Sequence, residues 1–126
     1  MACLDTNIII DYIHGVENAR KLIEDYRKSE QITTTTATMY ELLSSRDQQE
    51  RQLATEFLSR IKVYVFDERA SEVAANIRRK LELFGKLIND TDIMIAGIAF
   101  ANDETLVTQD RDFERINSGR IDLVKE

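Results

Sequence analysis

Short apolar or β-branched runs alternate with longer helical patterns along the whole chain. The strand-like runs cover 2–4, 31–35, 62–66, 105–108 and 121–124, and a helical segment lies between most of them. Parallel strands need a crossover long enough to hold a helix, so this alternation points to an α/β fold with a mostly parallel sheet. At 126 residues and 43% hydrophobic content, the chain suits a single domain, 1–126, with one core. It contains no repeats, low-complexity segments or linkers.

The first run carries the most information. Ala2-Cys3-Leu4 is a core-like strand that delivers Asp5 at its carboxyl end, followed by the cap-type residues Thr6 and Asn7. In open α/β sheets, ligands bind at the carboxyl ends of the strands. A short helix is expected over 7–13, ending near Gly15, and a second over 16–28 with Ala19, Leu22, Ile23 and Tyr26 on one stripe. After the second strand, Thr35 and its neighbours offer N-cap hydroxyls to a helix that contains Glu41 about two turns in, with Thr38 on the same face. A charged helix over 46–60 has Leu53, Phe57 and Leu58 as inward anchors and Asp47, Glu50 and Glu56 as a solvated face. A long amphipathic helix over 68–84 follows, with the stripe Ala70, Val73, Ala74, Ile77, Leu81 and Phe84, and Gly85 closes it.

Residues 90–101 differ in kind. Ile93 to Ala101 is almost unbroken apolar sequence, and the small residues Ala96, Gly97 and Ala99 favour a buried helix packed closely on the sheet. Asp90-Thr91-Asp92 opens that helix. Gln109-Asp110-Arg111-Asp112-Phe113 follows the fourth strand as a cap and short helix, and the last strand is expected at an edge.

Four carboxylates are placed unlike the others. Asp5 ends a buried strand, Glu41 lies in an apolar helix, Asp92 opens a buried helix and Asp110 follows a strand. In a parallel sheet the strand ends and following helix starts share one rim. Carboxylates that converge there repel one another, and at least one keeps its proton unless a cation is present. Oxygen-only ligands point to Mg²⁺ or Mn²⁺ rather than zinc. The plainer reading is that Asp92 and Asp110 are ordinary helix caps. It fits Asp5 and Glu41 less well, because ionised carboxylates are rarely left beside apolar core without a partner. Asp90 and Asp112 sit two residues from Asp92 and Asp110, roughly 200° around a helix, and are assigned mainly to capping or supporting work.

The remaining composition narrows the classes. A formal net charge of −6 does not suit a broad basic nucleic-acid face, although concentrating four acids at one site leaves the rest closer to neutral. The single cysteine, Cys3, excludes an internal disulfide and any two-cysteine zinc motif; its expected place is the core. His14, the one histidine, is expected at a helix end on the surface, which leaves no His-based triad unless this one residue serves. No stretch reaches the length of a membrane span and the first strand begins at once, so a cytoplasmic protein without membrane contact is expected.

Taken together, these motifs resemble the PIN-domain nucleases. Asp5-Thr6-Asn7 is similar to the family's opening motif. Thr35, Thr38 and Glu41-Leu42 resemble its Ser/Thr-rich strand end and Glu-Leu pair, and Asp92-Ile93-Met94-Ile95-Ala96 resembles its Asp-x-x-Ile-Ala segment. Thr108-Gln109-Asp110 with Asp112-Phe113 resembles its Thr-x-Asp and downstream acidic-Phe pair. The resemblance spans essentially the whole chain, and its size suits the VapC-like toxins of type II toxin–antitoxin pairs. It implies a three-layer α/β/α fold with a five-stranded sheet. It implies an acidic quartet, Asp5, Glu41, Asp92 and Asp110, binding Mg²⁺ or Mn²⁺ and supported by Thr6, Asn7 and Thr108. The implied activity is endoribonuclease cleavage, and the implied partners are RNA, a small antitoxin and a second copy of the chain. Arg111 and Arg115 are either phosphate contacts or solvated charges.

Other classes fit less well. One is a non-catalytic PIN-like module binding RNA or protein, which the full quartet argues against. Another is an RNA-processing PIN nuclease without an antitoxin. A haloacid-type phosphohydrolase wants a second Asp two residues after Asp5, where Asn7 stands. A receiver domain wants its phosphoacceptor after the third strand, as Asp67 is, and a lysine beyond the fifth; Thr108-Gln109-Asp110 gives no such lysine after the fourth strand, and Lys125 is nearly terminal.

Overall fold

The five strand-like runs pair side by side in a computed structural model that describes residues 1–124. The elements are β1 (Ala2–Leu4), α1 (Thr6–Ile13), α2 (Glu17–Ser29), β2 (Ile32–Thr35), α3 (Thr36–Leu43), α4 (Gln48–Leu58), β3 (Lys62–Tyr64), α5 (Glu68–Leu83), α6 (Asp90–Ala101), β4 (Thr105–Thr108), a 3₁₀ helix (Arg111–Ile116) and β5 (Ile121–Leu123). The strand order is β3-β2-β1-β4-β5, and every neighbouring pair is parallel. β1 is therefore central, and β5 is at an edge as its position in the chain suggested.

The two-residue period of the strands sorts side chains into two layers. Ala2, Leu4, Ile32, Val63 and Val107 face α1, α2 and α4, where Ile8, Ile9, Ile23, Ala54, Phe57 and Leu58 complete one core. Cys3, Leu106 and Ile121 face α5, α6 and the 3₁₀ helix, where Ala70, Ile95, Ala96, Ile98, Ala99 and Phe113 complete the other. This is the three-layer α/β/α arrangement. Gly97 faces α5 rather than the sheet: a Cβ there would lie 2.7 Å from Ala74 Cβ and 2.9 Å from the Ala70 carbonyl oxygen. That contact lets the two helices approach closely.

Several local expectations change. β3 stops at Tyr64, because the chain then leaves the sheet edge so that Asp67 can cap α5 by accepting from the Ala70 N–H; Val65 and Phe66 are exposed. Phe84 falls off the α5 stripe and is 71% exposed, since the helix ends at Leu83 and the chain turns through Gly85 at φ +66°. In α4 the inward residues are Ala54, Phe57 and Leu58, Leu53 being exposed, and Asp47 caps the helix rather than lying on its solvated face.

Glu104 is a buried carboxylate that the motif pattern did not mark. It is wholly buried just before β4, at the amino end of the strands, where Thr33 Oγ1 and Tyr64 OH each donate to it at 3.0 Å. Two hydroxyl donors stand in for water there, as a buried carboxylate requires.

Candidate active site

Strands β1 to β3 run outward in one direction and β4 to β5 in the other, so the order reverses between β1 and β4, which is where a doubly wound sheet opens a crevice at its carboxyl edge. Asp5 follows β1 and Asp110 follows β4, so both stand at that crevice. α3 leaves β2, the other neighbour of β1, and brings Glu41 to it; α6 brings Asp92.

Asp5 is itself the N-cap of α1, one residue earlier than the Thr6-Asn7 turn expected from sequence. Its Oδ1 accepts from the Thr6 N–H at 2.8 Å, and its Oδ2 accepts from the Thr108 hydroxyl at 2.6 Å. The same Thr108 oxygen accepts from the Asp110 N–H at 3.0 Å. One threonine hydroxyl thus ties the ends of β1 and β4 together through two acidic residues. Thr6 Oγ1 donates to Glu41 Oε1 at 2.5 Å and lies 3.2 Å from Thr38 Oγ1, so α1 and α3 are joined through the face that Thr38 and Glu41 share. Asn7 is exposed and makes no side-chain hydrogen bond among the described residues.

Electrostatics bind the four acids into one group. Burial pushes the Asp5 carboxyl up to about 6, and the nearby charges of Glu41 and Asp110 act in the same direction; its hydrogen bonds from Thr108 and Thr6 oppose the shift. Asp92 is pushed up to about 7, first by burial and then by Asp5, Asp110, Glu41 and Asp112. Neighbouring carboxylates account for the charge part of both shifts.

Asp92, Asp110 and Asp112 present carboxylate oxygens that all lie within 4.8 Å of one another. The expected divergence of Asp110 and Asp112 holds only if both are helical, and Asp110 is outside the helix. It is an extended N-cap (φ −83°, ψ 115°) whose Oδ1 accepts from the Asp112 N–H at 2.9 Å, and this folds both residues onto one rim. Asp90 is different: its side chain is 77% exposed and pairs with Arg78 at 3.4 Å. Asn89, not Asp90, caps α6.

The donor set fits a hard divalent cation. It is all oxygen, and three of its carboxylates, Asp92, Asp110 and Asp112, place oxygens within 4.8 Å of one another. The other reactive-looking residues stand elsewhere. Cys3 is fully buried, and burial pushes its thiol up to about 12, as a core residue should behave. His14 ends α1 on the surface, with Nε2 2.9 Å from Glu50 Oε2. Arg111 is exposed and 3.7 Å from Glu114, and Arg115 donates to the Leu87 carbonyl oxygen at 2.9 Å. A cavity of about 580 Å³ between α5 and the 3₁₀ helix, lined in part by Lys80, Lys86 and Arg115, contains none of the clustered carboxylates. Among the described residues no helix is long and apolar enough to cross a membrane.

Known proteins agree with this picture. The family model described as the PIN domain matches residues 2–118. Ribonuclease VapC2 of Haemophilus influenzae is 31% identical over 118 residues, covering 90% of this chain and 89% of that protein. Ribonuclease VapC3 of Methanocaldococcus jannaschii is 28% identical over 99 residues, covering 79% of this chain and 98% of that protein. Among solved structures, VapBC2 of Rickettsia felis bound to a DNA fragment from its promoter superposes with a TM-score of 0.85 at 26% identity, covering 99% of this chain and 98% of that one. DNA-bound VapBC of Salmonella typhimurium gives 0.80 at 29%, covering 96% of each chain. Strand order, acidic crevice and sequence relatives converge: the chain belongs to the PIN-domain family and is similar throughout to its VapC ribonucleases.

Proposed function

We propose that the protein is a Mg²⁺- or Mn²⁺-dependent endoribonuclease, the toxin of a toxin–antitoxin pair, folded as one domain. The observation that carries this reading is the convergence of Asp5, Glu41, Asp92 and Asp110 at the crevice between β1 and β4, with Asp112 beside them. Asp5 and Asp92 are the direct metal ligands in this reading. Glu41 and Asp110 complete the shell, directly or through water. When bound, the metal supplies charge neutralisation at the scissile phosphate and a water acidified enough to attack.

The chain's own groups do the positioning. Thr108 holds Asp5 and Asp110 at a fixed separation, and Thr6 fixes Glu41 against α1. Hydrolysis forms a bond from the water oxygen to phosphorus and breaks the bond from phosphorus to one ribose oxygen. The water's proton passes to a carboxylate of the cluster and the leaving oxygen takes up a proton. A small antitoxin and a second copy of the chain are the expected partners. The VapBC names of the superposing structures support the first of these.

The test is incubation of wild type and Asp5→Asn with a pool of cellular RNA, with and without Mn²⁺, mapping the new ends. Metal-dependent cleavage by wild type alone is expected. Cleavage by the Asp5→Asn protein at the wild-type rate would refute the assignment.

A further inference from the structure

A second recess lies between the two helices that carry Glu41 and Asp92. It is a cavity of about 170 Å³ lined by Thr36, Ala37, Tyr40, Phe66, Thr91 and Met94. Its walls are the facing sides of α3 and α6, and those helices carry two of the acids on adjacent faces: Tyr40 precedes Glu41, and Thr91 precedes Asp92. Phe66 enters from the segment after β3, and its N–H donates to Thr36 Oγ1 at 3.3 Å, which anchors that aromatic wall to the start of α3. No charged side chain lines the recess. Tyr40 is 68% exposed although it follows a buried turn of helix, so its ring is not held by the core.

We propose that this recess takes one unstacked base of a single-stranded RNA, the base adjoining the phosphate held at the carboxylates. The idea rests on the nuclease reading and names how that site engages its substrate. A nucleotide divides into a neutral aromatic base and an anionic phosphate. The molecule divides in the same way at this place, with an uncharged aromatic recess beside a cluster suited to hold a phosphate through a cation. The recess is large enough for one ring system, since a cavity of roughly 150 Å³ accommodates a benzene-sized ligand. Single-stranded RNA is recognised by splaying out bases and stacking them on aromatic side chains. The Thr91 hydroxyl, which makes no hydrogen bond among the described residues, adds a polar group for the base edge.

Two measurements test it. The first uses a short single-stranded oligoribonucleotide spanning a mapped cleavage site, with an abasic residue placed in turn at each position beside the scissile phosphate. Stacking on an aromatic ring, read by alanine substitution, corresponds to about 5- to 150-fold. One abasic position is expected to lower kcat/KM within that range for wild type. Tyr40→Ala and Phe66→Ala should lower it comparably on the intact RNA, with no further loss on the abasic RNA. Phe84→Ala, an exposed aromatic elsewhere, should leave kcat/KM unchanged. Intact cleavage with equal kcat/KM for wild type, Tyr40→Ala and Phe66→Ala would overturn the base site and leave the nuclease reading standing. So would silent abasic substitutions combined with a change from dimer to monomer in Tyr40→Ala by sedimentation, because the recess would then be a contact between copies.

The second measurement does not need cleavage. RNA carrying 4-thiouridine is photo-crosslinked to the Asp5→Asn protein in Mn²⁺, and labelled peptides are identified by mass spectrometry. Labels on peptides containing Tyr40 or Phe66 are expected. Such labels in a protein whose wild type cuts no RNA would keep the base site and refute hydrolysis. Labels confined to other surfaces would overturn the base site.

Discussion

Replacing Asp5 with Asn should make the metal-free protein more stable while abolishing its activity, and the size of the gain follows from the site. The Asp5 carboxyl is raised from 3.8 to about 6, mainly by burial. That difference corresponds to about 3 kcal/mol against the ionised form at pH values well above 6. Asn keeps most of the local structure. It caps α1 as well as Asp does, accepting from the Thr6 N–H, and it adds no volume. It loses the charge-assisted bond from Thr108, a cost of about 1–2 kcal/mol. The net expectation is a gain of about 1–2 kcal/mol at pH 8 in chelator. The sign with pH is determined by the raised pKa. The folded state holds its proton to higher pH than the unfolded chain, so the penalty is absent below about pH 4, grows between 4 and 6, and is complete above about 7. Urea denaturation at pH 4 and pH 8 in EDTA measures it: the two proteins should differ at pH 8, and the Asn variant's advantage should disappear at pH 4. A variant less stable than wild type at pH 8, or an advantage independent of pH, would refute the reasoning. Addition of Mn²⁺ should reverse the order, stabilising wild type in proportion to RT ln(1 + [metal]/Kd) and the variant much less.

Three further outcomes are expected. Thr108→Val removes the donor to Asp5 and the acceptor for the Asp110 N–H, and should lower stability by about 2 kcal/mol at pH 8 in chemical denaturation while reducing RNA cleavage at least tenfold; a change under about 0.5 kcal/mol would contradict its bridging role. Asp112→Asn should weaken Mn²⁺ binding by calorimetry about tenfold or more, whereas Asp90→Asn should leave it unchanged, because Asp112 shares the carboxylate cluster and Asp90 pairs with Arg78 in solvent. Equal effects of the two would undo that distinction. Gly97→Ala should cost about 1–2 kcal/mol by thermal or urea unfolding despite alanine's better helix propensity, since its Cβ meets Ala74 at 2.7 Å and the Ala70 backbone at 2.9 Å. A neutral or stabilising result would mean that α5 and α6 separate freely.

The amino-acid sequence by itself determined the alternation of elements, the central burial of the first strand and the identity of the four unusual acids. Local chemistry suffices for these. Period-2 and period-3.6 patterns are written residue by residue, and a carboxylate inside or at the end of an apolar run stands out without knowledge of its neighbours. Tertiary structure alone decided which acids share a crevice, because Asp5 and Asp110 are brought together by the parallel pairing of β1 with β4 and by one hydroxyl from Thr108. It also decided the role of Asp112, which depends on Asp110 lying outside its helix, and the burial of Glu104, whose partners Thr33 and Tyr64 come from two other strands. The recess between Tyr40 and Phe66 had no signature in the pattern either, since it exists only where α3, α6 and the end of β3 meet. Backbone periodicity is a local property. The distance between two carboxylates, and the space between two helices, is a sum over everything packed between them.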